Sequence, residues 1–323
     1  MLILTEQTIP TLLSVEEAFS VVSRTLAAYD AGDAVVFPVV REGLADRQAV
    51  FGIKAGYDKS IAALGLKAGG YWSGNAAAGR SNHQSSILLF DVATGEPAAL
   101  ISGNRLTGLR TAAASAIATA HLARHDARTL GMIGAGAQAA YQLRATAAIR
   151  TLSGVIAWDP SSANVARLAD TARELGLPFD TAQSAEDAVR SADILITVTP
   201  SQSAIVMKEW VKPGTHINAM GADTAGKQEL APEIVASARV YVDAIEQAIT
   251  IGECQHAFKA GLLKTSDVAG TLGGLASGRS SGRQTEHEIT LFDGTGVALQ
   301  DLAVAVAVMN RARAQGVGIE VSW

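Results

Sequence analysis

The chain has 323 residues, more than one ordinary core accommodates, so two domains are expected. Its composition is that of a globular protein, with 48% hydrophobic, 18% charged and only 5% aromatic residues, and Ala and Gly supply much of the apolar count. A formal net charge of -5 excludes a broad nucleic-acid footprint, so any cationic site must be local and built for something small.

The first residues, Met-Leu-Ile-Leu-Thr-Glu-Gln, lack a basic region and read as a first strand rather than a signal peptide. A helix is expected over 14–32: Ser14 and Glu17 form a capping box, Gly32 supplies the stop, and Ala18, Val21, Val22, Leu26 and Tyr29 recur at helical spacing. From about 35 to 101 the pattern changes to short β-like runs punctuated by glycine. Strands are expected at Ala49–Ala55, Leu64–Tyr71, Ser86–Val92 and Pro97–Ser102, with Thr94-Gly95 as the turn between the last two, in a mostly antiparallel sheet. An Ala-rich helix follows over 111–124.

The rhythm then alternates strictly. Strands are expected at 129–133, 154–158, 193–198, 215–219 and 239–243, with helices at 137–150, 161–175, 184–191 and 229–236 between them. Such alternation predicts a parallel, doubly wound α/β sheet. Residues 270–285, rich in Gly, Ser and Arg, read as a mobile loop, Glu288–Phe292 as one more strand and 298–315 as a last amphipathic helix. That helix is expected to return to the first domain, whose sheet otherwise lacks cover. Residues 126–297 thus form a Rossmann domain, and 1–125 with 298–323 a second, α+β domain. No run approaches the roughly 18 apolar residues of a membrane span. A single cysteine, Cys254, makes an internal disulfide impossible and fits a reducing cytoplasm; the thiol reads as inert packing.

The segment Gly134-Ala135-Gly136-Ala137-Gln138-Ala139 follows an apolar strand and opens a helix, the context a dinucleotide-binding loop requires. Gly134 permits the tight turn, Gly136 lets backbone approach a pyrophosphate, and Ala139 permits close helix–sheet contact. The amides of the helix start, through Ala137 and Gln138, favour phosphate. Asp159 ends the second strand, 20 residues past Ala139. A carboxylate there accepts from ribose hydroxyls and repels a 2′-phosphate, and no Arg follows it, so NAD(H) is expected over NADP. The competing reading of Asp159 is a helix cap. Thr197 and Thr199 end another strand at the carboxyl edge, where ligands bind in such sheets, and are candidate cofactor contacts.

A cationic group stands out in the first domain. Gly52-Ile53-Lys54-Ala55-Gly56 and Gly65-Leu66-Lys67-Ala68-Gly69 echo each other, each placing a lysine inside a glycine-flanked apolar strand. Two ammonium groups on neighbouring strands repel unless an anion lies between them. Arg110 is expected where the Ala-rich helix begins, an unfavourable place for a cation unless a carboxylate pairs with it; the competing reading is a salt bridge to an internal acid. Arg41 is a further candidate. Asp223 follows the strand at 215–219 and is a candidate for holding a substrate ammonium or iminium and exchanging its proton. The histidines show no metal-ligand spacing, and no metal is expected.

The chain resembles the ornithine cyclodeaminase/μ-crystallin family over nearly its whole length. The resemblance rests on Leu64-Gly65-Leu66-Lys67, Leu89-Phe90-Asp91 with Thr94-Gly95-Glu96-Pro97, Leu106-Thr107-Gly108-Leu109-Arg110-Thr111-Ala112-Ala113 and the loop at 134–139. Gly221-Ala222-Asp223 through Gly226-Lys227, and Thr290-Leu291-Phe292 through Gly296, complete the set. The resemblance implies a homodimer formed through the strand-rich domain. It also implies that Arg41, Lys67 and Arg110 bind a substrate α-carboxylate, that Asp223 acts on the substrate nitrogen, and that Asp293 and Gly294 lie near the nicotinamide.

One departure bears on the substrate. Cyclodeaminases of the family carry glutamate at the position of Lys54, and members resembling alanine dehydrogenase carry arginine. A cation there repels the distal ammonium of ornithine and favours a dicarboxylate. The expectation is therefore NADH-dependent reduction of a 2-imino acid to an amino acid, with iminosuccinate to L-aspartate as the leading case. Lys67 and Asp223 are the catalytic candidates, and Arg41, Lys54, Arg110 and His83 join Lys67 in binding substrate. Alanine dehydrogenation, cyclic ketimine reduction, ornithine cyclodeamination and a non-catalytic binding role are the alternatives.

Overall fold

The computed structural model describes residues 1–323, the side chain of residue 76 excepted. The chain divides into two compact units, 1–110 with 297–323, and 111–296.

The first unit is built on a sheet of β1 (Leu2–Leu4), β2 (Ala34–Val36), β3 (Val40–Leu44), β4 (Ala49–Asp58), β5 (Ala63–Trp72), β6 (His83–Phe90) and β7 (Pro97–Ser102). The β4–β5–β6–β7 run is antiparallel, while β1 joins β7 in parallel and pairs on its other side with the C-terminal strand Ile319–Glu320. Both β2 and β3 pair with β4, along different stretches of it.

Helix α1 (Val15–Ala31) starts with the expected capping box: Ser14 Oγ accepts from the Glu17 amide at 3.2 Å, and Glu17 accepts from the Ser14 amide at 2.9 Å. Gly32 ends it in the left-handed region at φ 84°. Glu17 also receives the Arg311 guanidinium of the C-terminal helix, Ala298–Gln315, with one contact at 2.8 Å. That partner and the Ser14 amide hold its carboxyl below the usual range.

The C-terminal helix covers one face of the sheet, as its apolar stripe predicts. The glycines beside the two lysines are demanded first by neighbouring strands, since a Cβ would stand 2.3 Å from Leu88 O at Gly65 and 2.7 Å from Val35 O at Gly56, and they also let the helix come close. A Cβ at Gly65 would stand 3.1 Å from Leu302 Cδ2, and one at Gly56 3.2 Å from Leu299 Cδ2. The opposite face carries the cross-strand row Ala55–Leu66–Leu88–Leu100, none of it fully buried.

Helix α2 (Asn104–Leu122) begins seven residues before the expected position of 111. Gly108 and Thr107 weaken its local helical signal. Burial of Leu106 and Leu109 recruits the early turns nevertheless. The division between the units falls inside this helix, after Arg110, rather than after residue 125. Its first turns join the first unit's cationic group through Thr107 and Arg110.

The second unit contains β8 (Thr129–Ile133), β9 (Gly154–Trp158), β10 (Phe179–Thr181), β11 (Ile194–Thr197), β12 (Gln202–Val206), β13 (His216–Ala219), β14 (Gln228–Leu230), β15 (Arg239–Val242), β16 (Gly270–Thr271) and β17 (Thr290–Asp293). Eight of these form one parallel sheet in the order β10-β9-β8-β11-β13-β17-β15-β16, and β12 with β14 forms a separate parallel pair. The strand order reverses between β8 and β11, the switch point at which doubly wound sheets bind ligands.

The helices are α3 (Ala139–Ile149), α4 (Ser162–Glu174), α5 (Ala185–Ser191), α6 (Pro232–Ser237), α7 (Ile245–Thr250), α8 (Cys254–Lys259) and α9 (Leu272–Ser277). Two expectations are corrected here. The helix expected at 229–236 starts only at Pro232, a favoured first helical residue, and Glu229 lies on β14. The expected mobile loop 270–285 contains β16 and α9, which buries Leu272 and Leu275. Among the described residues no helix is long and apolar enough to cross a membrane.

Candidate active site

In the first unit, Lys54 and Lys67 stand directly opposite each other on β4 and β5. Both point to the helix-covered face, and both are buried, at 7% and 8% exposure. Arg110, at 7%, joins them from α2. It lies in the helix's second turn, not at its start, so the conflict with the helix dipole expected there does not arise.

The group contains one acid that the sequence did not single out. Asp301 of the C-terminal helix accepts, through Oδ1, from Lys67 Nζ at 2.8 Å and from Arg110 Nε at 3.0 Å. Gln300 accepts from Arg110 Nη1 at 3.1 Å, and Thr107 Oγ1 lies 3.4 Å from Lys67 Nζ. The salt bridge to an internal acid, weighed above for Arg110, is therefore present. Asp301 stands among three buried cations, Lys54, Lys67 and Arg110.

Lys67 registers its cationic neighbours. Burial, then Arg110, then Lys54 push its pKa down to about 7, against the opposing pull of Asp301. The Asp301 carboxyl is held below its usual range by Arg110 and Lys67, which outweigh its burial. The remaining candidates lie further out on the same sheet face. Arg41 pairs with Gly52, one row from Lys54, about 7 Å along the strand. His83 pairs with Tyr71, two rows from Lys67, about 13 Å away. Lys54, Lys67 and Arg110 thus come together, Arg41 flanks them, and His83 stands apart.

In the second unit, the glycine loop joins β8 to α3. Gly134 has φ 94°, and a Cβ there would meet Val198 O at 2.8 Å, so the turn itself demands glycine. Gly136 is different: nothing lies within 4 Å of an added Cβ. Its missing side chain serves no internal contact and keeps open the approach to the loop. Ala137 is exposed, and Gln138 caps α3, whose first-turn amides have no acceptor within their own helix.

Asp159, at the end of β9, accepts from the Ala135 amide at 2.8 Å, the Ser161 amide at 2.8 Å and Asn164 Nδ2 at 3.1 Å. The cap of α4 is Ser161, so the helix-cap reading of Asp159 fails. Three donors leave a carboxylate with acceptor capacity to spare. Glycine loop, open Gly136, helix start and acid together fit the pyrophosphate and ribose of a dinucleotide.

Asp223 follows β13 and is half-buried. It accepts from Lys227 Nζ at 2.7 Å and from Thr224 Oγ1 at 3.2 Å, and Lys227 also donates to Gly221 O at 3.1 Å. Thr197 is fully buried and donates to Glu229 at 2.7 Å. The Thr199 amide donates to the same acid at 2.6 Å. Asp293 is also fully buried, its Oδ2 accepting from the Cys254 amide at 3.0 Å. Burial raises its pKa to about 7. Gly294 donates its amide to Ala219 O at 3.0 Å. Thr197 and Asp293 therefore turn their side chains into the unit. The Cys254 thiol is pushed well up by burial and by Asp293, as inert packing requires.

Sequence reasoning missed Asp301, Glu229, Glu253 and Asp243. Asp301 had a usable signal, an acid on the apolar stripe beside Leu302. Glu229 had none once its segment was read as a helix.

The family model for the ornithine cyclodeaminase/mu-crystallin family matches residues 1–316. The chain belongs to this family. It is similar to the iminosuccinate reductase of Paracoccus denitrificans, at 48% identity over 99% of each chain. The crystal structure of that enzyme, in complex with NAD+, superposes with a TM-score of 0.93 over 100% of this chain and 99% of the other. The Delta(1)-pyrroline-2-carboxylate reductase of Thermococcus litoralis, in complex with NADH and L-proline, is 31% identical, with a TM-score of 0.96 over 99% and 100% of the two chains. An archaeal alanine dehydrogenase dimer with bound NAD is 35% identical, with a TM-score of 0.95 over 100% and 99%.

Proposed function

We propose that this family member is an NADH-dependent imine reductase whose substrate is iminosuccinate and whose product is L-aspartate. The observation that supports the dicarboxylate is the buried group of Lys54, Lys67 and Arg110 gathered around Asp301. A group of buried cations suits a substrate with two carboxylates. Buried charge of one sign is costly, and a bound dianion relieves the cost. The similarity to the Paracoccus reductase supports the same reading.

Bound NADH supplies the hydride for the imine carbon. The loop at 134–139 and the start of α3 hold its pyrophosphate, and Asp159 accepts from the adenosine ribose and selects against a 2′-phosphate. Thr199 and Gly294 lie on carboxyl-edge loops and are further candidates for contact with the cofactor. Lys54, Lys67 and Arg110, with Arg41 beside them, bind and orient the carboxylates. Asp223, paired with Lys227, stabilises the iminium and manages its proton.

Purified protein should oxidise NADH with oxaloacetate plus ammonium far better than with pyruvate plus ammonium or a cyclic imine. Equal rates would refute the dicarboxylate assignment. Conversion of ornithine to proline and ammonia without net NADH change would refute reduction itself.

We further infer a homodimer through the uncovered sheet face. Ala55, Leu66, Leu88 and Leu100 lie on it in register, and Leu100 is 37% exposed. A second copy is the occupant favoured by the dimeric alanine dehydrogenase relative. Leu88→Glu should convert a dimer to monomers in sedimentation; an unchanged mass would place the interface elsewhere.

A further inference from the structure

We propose that Glu229 is a positioning residue for the cofactor side of the reaction, locking the loops that follow β11 and β13 into one geometry. The inference rests on reading the second unit as the NADH-binding unit.

Glu229 is fully buried on β14 and sits beneath the carboxyl ends of two adjacent parallel strands. Its Oε2 accepts from Thr197 Oγ1 at 2.7 Å and from the Gly221 amide at 2.8 Å. Its Oε1 accepts from the Thr199 amide at 2.6 Å. Thr197 is the last residue of β11, Thr199 lies in the loop beyond it, and Gly221 lies two residues before Asp223. One carboxylate thereby fixes both loops. The fit depends on glycine, since a Cβ at Gly221 would stand 2.5 Å from Glu229 Oε1.

The acid is itself held. Glu253, just before α8, accepts from the Glu229 amide at 2.9 Å and from the Leu230 amide at 2.7 Å. Burial and the charge of Glu229 push the Glu253 carboxyl well up. The next residue, Cys254, donates its amide to Asp293 at the end of β17. Asp243, just past β15, accepts from Thr295 Oγ1 at 2.6 Å. Buried carboxylates thus tie the carboxyl ends of β11, β13, β17 and β15, four neighbours in the sheet. Among these acids, Glu229 is the one bonded to the amides of Thr199 and Gly221.

The Glu229 carboxyl is bonded to three donors, Thr197 Oγ1 and the amides of Thr199 and Gly221, and accepts from each. In Glu229→Gln, one amide nitrogen must face the N–H of either Thr199 or Gly221, whichever way the side chain is turned.

The test measures NADH affinity by fluorescence, with kcat and the KM of the imine, in wild type, Glu229→Gln and Glu229→Asp. Glu229→Gln should weaken NADH binding about tenfold or more and lower kcat, with the imine KM little changed. Glu229→Asp, which keeps a carboxyl acceptor, should recover part of the loss. Equal losses in the two variants, or unchanged NADH affinity and kcat in a folded Glu229→Gln, would overturn the proposal. Amide exchange in the wild-type protein tests it without any variant. The Thr199 and Gly221 amides should exchange at least about a hundredfold slower than open-loop amides, and open-loop rates at both would overturn it. Failure of wild type to bind NADH would instead overturn the cofactor reading on which the inference rests.

Discussion

Lys67 has its protonation state set by its neighbours. Burial, Arg110 and Lys54 disfavour its charge, and Asp301 favours it. Asp301→Asn should therefore lower the Lys67 pKa further below about 7. If the protonated amine binds a substrate carboxylate, kcat/KM in wild type falls as pH rises through that value. In Asp301→Asn the fall should begin at lower pH. A pH profile of kcat/KM in the two proteins checks this, and superimposable profiles would remove Asp301 from the role. At this scale the sequence was half-legible. The paired lysines showed themselves by their matched glycine-flanked settings. Asp301 is 234 residues from Lys67 in the chain, and no spacing rule links them. The inward turn of Thr197 and Asp293 was equally hidden, because strand alternation fixes which face a side chain leaves from but not what lies on that face.

The glycine loop separates two reasons for one residue type. Gly134 is required by its own backbone and by Val198 behind it, whereas Gly136 has open space around it. Gly134→Ala should lower the melting temperature, with a cost of about 1–3 kcal/mol from left-handed strain and crowding. Gly136→Ala should leave the melting temperature within about 2 °C of wild type, a surface-sized effect, while weakening NADH binding. Thermal melts with NADH titrations distinguish the two. Loss of stability without loss of affinity in Gly136→Ala would contradict the assignment of that space to the cofactor. Elements with strong periodicity were read close to their bounds, among them α1, β8, β9 and the C-terminal helix. The misplaced ones were decided by tertiary contacts. Burial of Leu106 and Leu109 extends α2 backwards through Gly108, and the pairing of β14 with β12 holds Glu229 in a strand where local sequence suggested helix. The short α7, α8 and α9 carry six residues each, too few for a hydrophobic period to register.

The whole molecule combines two separately built units. The period-2 pattern and the strand–helix alternation distinguished them in the sequence, and the need to cover the first unit's sheet assigned the last helix to it. The division inside α2 was not legible, because a continuous helix shows no break where its contacts change. The proposed function divides along the same line, with the buried cations in one unit and the dinucleotide loop in the other. Its central claim is that Lys54 selects a second carboxylate. The direct measurement is the ratio of kcat/KM for oxaloacetate plus ammonium to that for pyruvate plus ammonium, with NADH, in wild type and in Lys54→Glu. Reversing one charge about 4 Å from a carboxylate changes the interaction by roughly 1–4 kcal/mol per unit charge. Wild type should favour the dicarboxylate, and Lys54→Glu should lower that ratio about tenfold or more. A wild type without preference, or a ratio unchanged by Lys54→Glu, would contradict the claim.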